Sequence, residues 1–290
     1  MNKTLIGLLC GLSAASIWGG MYVVSKVVLE VIPPFTLLTL RLVLGILALG
    51  IVVFLRKKTE FTRQQFQNCF LVGVVGYGIS LGFQFIGTKL STASNGALVT
   101  SATPAFVLLF APLVLNEKPT FRRAFALVIS LLGVFAVIDP RTADFSSSLF
   151  IGNLSLLAAA LTWALYSVLV RNISKTTDLL KSSTIMLAGG LPSSVLFSIL
   201  ELHQQGIGKI TIGIVGGILF LGIISTAIAM FLWNYAFAEL PASVASLTFF
   251  AQPVVGTLLG WFFLKETITP LFWAGGILIG MGLFIANRDP

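Results

Sequence analysis

The chain has 290 residues, of which 57% are hydrophobic and only 10% charged, with a net charge of +8. A soluble domain carries about a quarter charged residues, and a mean hydropathy of +1.01 leaves too little polar surface to hydrate such a fold. An ordinary water-soluble protein is therefore excluded. In a membrane chain the positive charge is read loop by loop as topology, so no nucleic-acid partner is expected.

The opening run, "MNKTLIGLLCGLSAASIWGGMYVV", is longer than the apolar core of a signal peptide, about 7–15 residues, and reads as a first membrane span. A spanning helix needs about 20 mostly apolar residues. Nine short polar or proline-bearing breaks then divide the chain into ten spans, near 5–28, 35–55, 67–87, 94–115, 121–138, 150–170, 182–200, 212–236, 243–264 and 270–286. The expected class is an all-α integral membrane protein, with the bilayer as its solvent and no soluble domain. Basic residues set the orientation. With the N-terminus inside, roughly twelve Lys and Arg fall on cytoplasmic segments against five on the other side, so both termini are expected in the cytoplasm. Cys10 and Cys69 form no pattern and read as inert buried thiols.

The chain repeats itself. "SIWGGMYVVSK" (16–26) parallels "LTWALYSVLVR" (161–171), aligning Trp18 with Trp163 and Lys26 with Arg171. "TSATPAFVLLFAPLVLNEKP" parallels "FFAQPVVGTLLGWFFLKETI", aligning Pro104 with Pro253 and Glu117 with Glu266. The offset is 145 at the first pair and 149 at the second, so a small indel separates the halves. The repeats are expected at 1–140 and 149–290, with five spans each. Five is odd, so the second half enters the membrane inverted, an arrangement typical of secondary transporters built around a central cavity.

A proline inside a helix removes one backbone hydrogen bond and crowds the carbonyl four residues earlier. Those carbonyls belong to Thr100 and Phe249. Matched interruptions in the middle of spans four and nine point to a transport site with Pro104 and Pro253 as hinges; the alternative is a pair of packing kinks. Glu117 and Glu266 close the same spans at C-terminal ends, where an acid opposes the macrodipole. Arg122, Arg123 or the adjacent Lys265 would compensate, making the two acids anchors or gate residues.

Arg41 lies about 9 Å inside span two at 1.5 Å per residue. An ionisable group at that depth is a functional candidate and could hold a carboxylate bidentately. It could equally snorkel outward or pair with Glu30. Lys26, nearer its helix end, reads as a snorkelling lysine. Trp18 and Trp163 fall well inside their spans and are expected on a cavity wall with Tyr77, Tyr166 and Trp233. Gln84, Thr100 and Gln252 are polar groups for the same cavity, while Asn95 and Asn234 join helices or meet a polar solute. Glycine pairs four apart, at 7/11, 78/82, 213/217, 256/260 and 276/280, are read as close-packing positions.

The spans, the repeat, "AASIWGGMYVVSK", "TLRLVLGILAL" and the two "P…E" closures together resemble the drug/metabolite transporter superfamily, specifically its EamA-type ten-helix exporters. The resemblance covers essentially the whole chain. It implies a basket of helices around a central cavity in the cytoplasmic membrane, and export of amino acids or related metabolites. It also implies that Pro104, Glu117, Pro253, Glu266, Lys26 and Arg41 occupy the family's proline, glutamate and basic positions. A flippase-type carrier of lipid-linked or nucleotide-linked sugars is the alternative.

No Asp or Glu lies near the middle of a span, which argues against carriage of cationic drugs and against a carboxylate proton relay. The single His, His203, is expected in a loop. No phosphate loop and no nucleophile–base set is present, so neither an ATPase nor another enzyme is expected, and no cofactor or metal site. The remaining expectations are a small-molecule substrate and a monomer, with a homodimer left open.

Overall fold

The computed structural model describes residues 3–56, 60–115, 121–138, 147–174, 176–240 and 242–286. The described residues form ten helical spans. They are α1 Lys3–Val28, α2 Pro34–Leu55, α3 Arg63–Leu90, α4 Ala93–Leu115, α5 Phe121–Ile138, α6 Ser148–Ser174, α7 Leu179–Gln204, α8 Ile212–Glu239, α9 Ala242–Leu264 and α10 Pro270–Ala286. Eight of them are long and apolar enough to cross a membrane; α5 and α10 are the shorter pair. His203 belongs to the last turn of α7 rather than to a loop, because that helix runs four residues past the span expected from hydropathy.

Local chemistry explains the helix starts. Pro34 opens α2, where its missing N–H costs nothing. Thr62 and Gln65 form a reciprocal capping box at α3. Thr92, Asp178 and Thr211 accept from the amide three residues on at α4, α7 and α8.

The packing obeys the repeat. Contacts of α1 with α9 and α8 are answered by contacts of α6 with α4 and α3. The pair α2–α8 is answered by α7–α3, while α2–α7, α4–α9 and α5–α10 each join a span to its own counterpart. An exchange of the two halves therefore maps the contact pattern onto itself, as two five-helix repeats require. Helices with apolar sides all round gain nothing from hydrophobic association in lipid, so close backbone approach takes its place. A Cβ on Gly19 of α1 would sit 2.7 Å from the Gln252 carbonyl of α9, so glycine is needed at that crossing. The expected glycine pairs are only partly used in this way. Among the described residues, Gly276 meets nothing nearer than 3.8 Å and Gly280 nothing within 4 Å.

Spans α4 and α9 are broken where the prolines sit. Helix α4 stops at Thr100 and restarts at Thr103, and α9 tightens to a 3-10 turn over Thr248–Phe250 before Ala251. Both breaks lie in the turn before the proline, which cannot donate back. Two further irregularities have no signal in the sequence pattern. Spans α3 and α8 widen into π-helical turns over Val74–Ser80 and Phe220–Ile228, at places equivalent in the two repeats.

Candidate functional site

Trp18, Met21 and Tyr22 lie three and four residues apart and so share one face of α1. That face meets Trp163 of α6, Ser80 and Gln84 of α3, Thr100 and Thr103 of α4, and Phe249 and Gln252 of α9. The space left between them is about 20 Å³, room for about one water. The central gap is narrow in this conformation.

The walls are aromatic. The Trp18 ring packs edge-on to Trp163 at 5.6 Å between centroids, and tilts against Trp233 at 5.3 Å and Phe249 at 5.9 Å. Most polar groups of the wall are tied to the protein. Trp18 Nε1 donates to the Ser225 carbonyl at 3.0 Å. Gln252 Nε2 donates to Thr100 Oγ1 at 2.7 Å and to the Ala97 carbonyl at 3.2 Å. The Tyr22 hydroxyl and Thr100 Oγ1 are 2.8 Å apart. Trp163 breaks this pattern: it is 6% exposed and its Nε1–H has no hydrogen-bond partner among the described residues. An unpaired buried donor is costly, and marks a place for a missing acceptor.

Arg41 neither snorkels nor pairs with Glu30. Its side chain is fully buried (0% exposed), so the outward escape open to a lysine-like stem is not taken. Nε donates to Thr226 Oγ1 at 2.7 Å, Nη2 to Ser225 Oγ at 3.4 Å and Nη1 to Met21 Sδ at 3.5 Å, and the guanidinium lies over the Phe85 ring at 5.1 Å. Among the described residues no carboxylate faces it. Gln84 Nε2 reaches the same Met21 sulfur, at 3.7 Å. A thioether is a weak acceptor, yet here two strong donors converge on one.

Five residues expected on the cavity wall line the gap: Trp18, Gln84, Thr100, Trp163 and Gln252. Arg41, Tyr77, Tyr166 and Trp233 do not line it. Arg41 stands behind Met21. Tyr77 and Tyr166 turn away to each other, hydroxyl to hydroxyl at 2.5 Å, and Tyr166 donates on to Asn234 Oδ1 at 3.0 Å, whose Nδ2 donates to Ser183 Oγ at 2.9 Å. Trp233 Nε1 donates to Ser167 Oγ at 3.3 Å. Met21, Tyr22, Ser80, Thr103 and Phe249 line the gap without having been singled out by type. The face of α1 shared with Trp18 could have found the first two, and the repeat position of Gln252, 149 residues after Thr103, could have found the fourth.

The charged ends of the spans are structural clasps. Helix α9 ends at Leu264 with Lys265 in the left-handed conformation, φ 57°. Glu266 therefore lies beyond the helix and does not face its dipole. Its carboxylate crosses to the start of α4, accepting from the Ala93 and Ser94 amides at 2.7 and 2.8 Å and from the Ser94 hydroxyl. The charge is balanced by a helix N-terminus and not by Lys265. Glu117 lies outside the described residues. Lys26 does not snorkel either: its ammonium donates to the Thr88, Lys89 and Ser91 carbonyls and caps the C-terminus of α3. Arg171, its counterpart, donates to the Phe237 and Leu240 carbonyls at the end of α8. Phe237 and Leu240 stand 149 residues after Thr88 and Ser91, so both repeats make the same clasp.

A narrow aromatic gap lined by helices of both five-helix repeats, beside paired breaks in α4 and α9, fits a membrane transporter of the inverted-repeat class. The chain matches the EamA-like transporter family over residues 5–138 and again over 150–288, and it belongs to that family. It is 27% identical to the uncharacterized transporter YoaV of Bacillus subtilis (strain 168), over 98% of this chain and 97% of that protein. It is 25% identical to an uncharacterized transporter of Archaeoglobus fulgidus, over 93% of this chain and 95% of the other. A solved crystal structure with 19% identity superposes with a TM-score of 0.70, over 97% of this chain and 96% of the other, a likeness that speaks for the fold.

Proposed function

We infer that this transporter is a secondary carrier moving small carboxylate-bearing metabolites, amino acids foremost, outward across the cytoplasmic membrane. The observation that carries the substrate class is the convergence of Arg41 Nη1 and Gln84 Nε2 on the Met21 sulfur, with no carboxylate opposite the guanidinium among the described residues. Charged donors prefer an anionic oxygen over a thioether by a wide margin. A solute carboxylate that displaced the Met21 side chain would gain both donors, while Trp163 Nε1 could meet a further acceptor. The gap is too small for such a solute as it stands, so entry requires the breaks of α4 and α9 to bend and open it. The alternative, a carrier for diphosphate-linked sugars, would need several cations at the gap, and Arg41 is the one basic side chain bonded to its wall among the described residues.

Proteoliposomes holding the full chain give the test. Counterflow of a labelled aromatic amino acid is measured against excess of that amino acid, its decarboxylated amine, or a neutral nucleobase. Competition by the amino acid alone supports the reading; equal competition by the amine removes the carboxylate from it. The same preparation, with cysteines placed at Arg63 and Lys89, reports the orientation: labelling of the first only from the cytoplasmic face and of the second only from outside fits both termini inside.

A further inference from the structure

We propose that the groove between α9 and α10 is a binding site for one anionic phospholipid, its acyl chain lying against the two helix breaks and its phosphate at Lys265. The groove is apolar, about 360 Å³, with α4 as its floor, and Gly276 and Gly280 as one wall. No side chain among the described residues fills it: a Cβ at Gly280 would meet nothing within 4 Å. It continues at Thr257, Leu258 and Trp273 into a wider cleft of about 830 Å³ that holds Trp261 and Lys265. The groove thus runs from an apolar end to one bearing a cation and two exposed indoles. Trp at such a position marks the headgroup level of a bilayer, and Lys265 to Pro253 is about 18 Å of helix, from that level to the midplane.

The charge at the wide end is available. Lys265 is exposed, its ammonium lies 5.6 Å from the Phe262 ring centre, and its neighbour Glu266 is committed to the α4 amides. The left-handed turn at Lys265 ends the helix there and fixes where this cation sits. At the apolar end the groove touches Ser101 and Phe250, one from each break, while their neighbours Thr100 and Phe249 line the central gap. An acyl chain in the groove is therefore one residue layer from the transport site, and its presence would resist the bending of α4 and α9.

The full chain is purified in detergent, stripped of lipid, and titrated with phosphatidylglycerol or phosphatidylcholine, with bound lipid counted by native mass spectrometry. The expected result is one retained phosphatidylglycerol, favoured over phosphatidylcholine by about fivefold, the contribution of one lysine at a membrane surface. Lys265→Asn keeps a residue that tolerates the left-handed turn and should abolish the preference. Gly280→Phe should lower retention of both lipids without altering the monomer peak or the melting temperature; Gly276→Leu repeats that test should the larger residue unfold the chain. Equal retention of the two lipids by the parent, undiminished retention in both glycine variants, or a lipid-free dimer that Gly280→Phe dissolves would each overturn the proposal.

Discussion

The repeat places two clusters in equivalent positions, and they carry different chemistry. Met21, Arg41 and Thr226 form one. Their counterparts, at offsets of 145, 145 and 149 residues, are Tyr166, Met186 and Tyr77, which form the other. In the first, Arg41 bonds to Thr226 and to the Met21 sulfur. In the second, Tyr166 bonds to Tyr77 and lies 3.9 Å from the Met186 sulfur. Each cluster joins a π-helical stretch of one repeat to two helices of the other. The clasps made by Lys26 and Arg171 are alike in both halves, as are the proline breaks. What is repeated is scaffold, and what differs is charge. A carrier whose halves exchange shapes would have isoenergetic end states if they were chemically identical. A buried cation on one side and a neutral hydroxyl chain on the other make the two clusters chemically unequal, the asymmetry on which the proposed preference for a carboxylate rests.

The largest effect is expected from erasing that difference. Arg41→Met installs the residue of the other half. It removes a buried cation with no carboxylate opposite it among the described residues, and replacing buried ionic groups with apolar ones of similar size is often neutral or stabilising by about 1–4 kcal/mol. The melting temperature in detergent should hold or rise. Transport of carboxylate-bearing substrates should fall by at least about tenfold in kcat/KM, corresponding to one lost charge-assisted hydrogen bond. Retained transport would show that the arginine is structural and the asymmetry idle. The reciprocal break, Tyr166→Phe, deletes the hydroxyl that bonds both Tyr77 and Asn234 Oδ1, while Asn234 Nδ2 keeps Ser183. It should lower stability by about 1–3 kcal/mol and expose a cysteine placed near that cluster's mouth, with a smaller change in substrate preference. Selectivity shifted as far as by Arg41→Met would mean that both clusters touch the solute.

The hinges come next in size. Pro104→Ala and Pro253→Ala should fold, alanine being the better helix former. Each should slow turnover by about two- to fivefold with little change in KM, the pattern of a conformational step. Their effects on cysteine accessibility at the two mouths should be opposite, because the halves are inverted. Parent rates and unchanged accessibility in both variants would reduce the matched prolines to packing devices.

Most of the architecture was legible because it follows from local rules. The lengths of the apolar runs gave ten helices, the self-similarity gave the repeat, and Pro104 and Pro253 marked the breaks. Contacts across the fold were not legible. The sequence offers Glu266 a helix end and an adjacent lysine, yet the carboxylate caps a helix 172 residues away, through a left-handed turn at a lysine that carries no signal for it. The π-helical turns coincide with close tertiary approach, Gly76 lying so near the Tyr166 ring that a Cβ there would clash, which no local pattern announces. Trp18 and Trp163 look equivalent in sequence, and only the fold shows that Ser225 satisfies one and nothing among the described residues satisfies the other. Met21 carries no signal of its own in the sequence, since a methionine in an apolar helix is ordinarily filler. Its meaning lies in the two donors aimed at it.

The smallest effect tests the part of the comparison that is the same in both halves. Lys26 and Arg171 stand at matching places in the two repeats, where a substrate role is natural to suspect, but both spend their donors on the last carbonyls of a neighbouring helix. A cation at a helix C-terminus stabilises by about 0.3–1 kcal/mol when exposed and up to about 2 when partly buried. Both side chains are partly buried. Lys26→Met and Arg171→Met should therefore each cost about 1 kcal/mol in a detergent melt, by similar amounts. Lys26→Arg should restore most of the first loss, since the other half already makes the clasp with arginine. KM for the carboxylate substrate should be unchanged in all three. A rise in KM confined to Lys26→Met would assign that lysine to the solute after all and end the equivalence of the two clasps. Equal, modest losses of stability with intact KM would separate the repeated scaffold from the unrepeated charge on which the proposed selectivity rests.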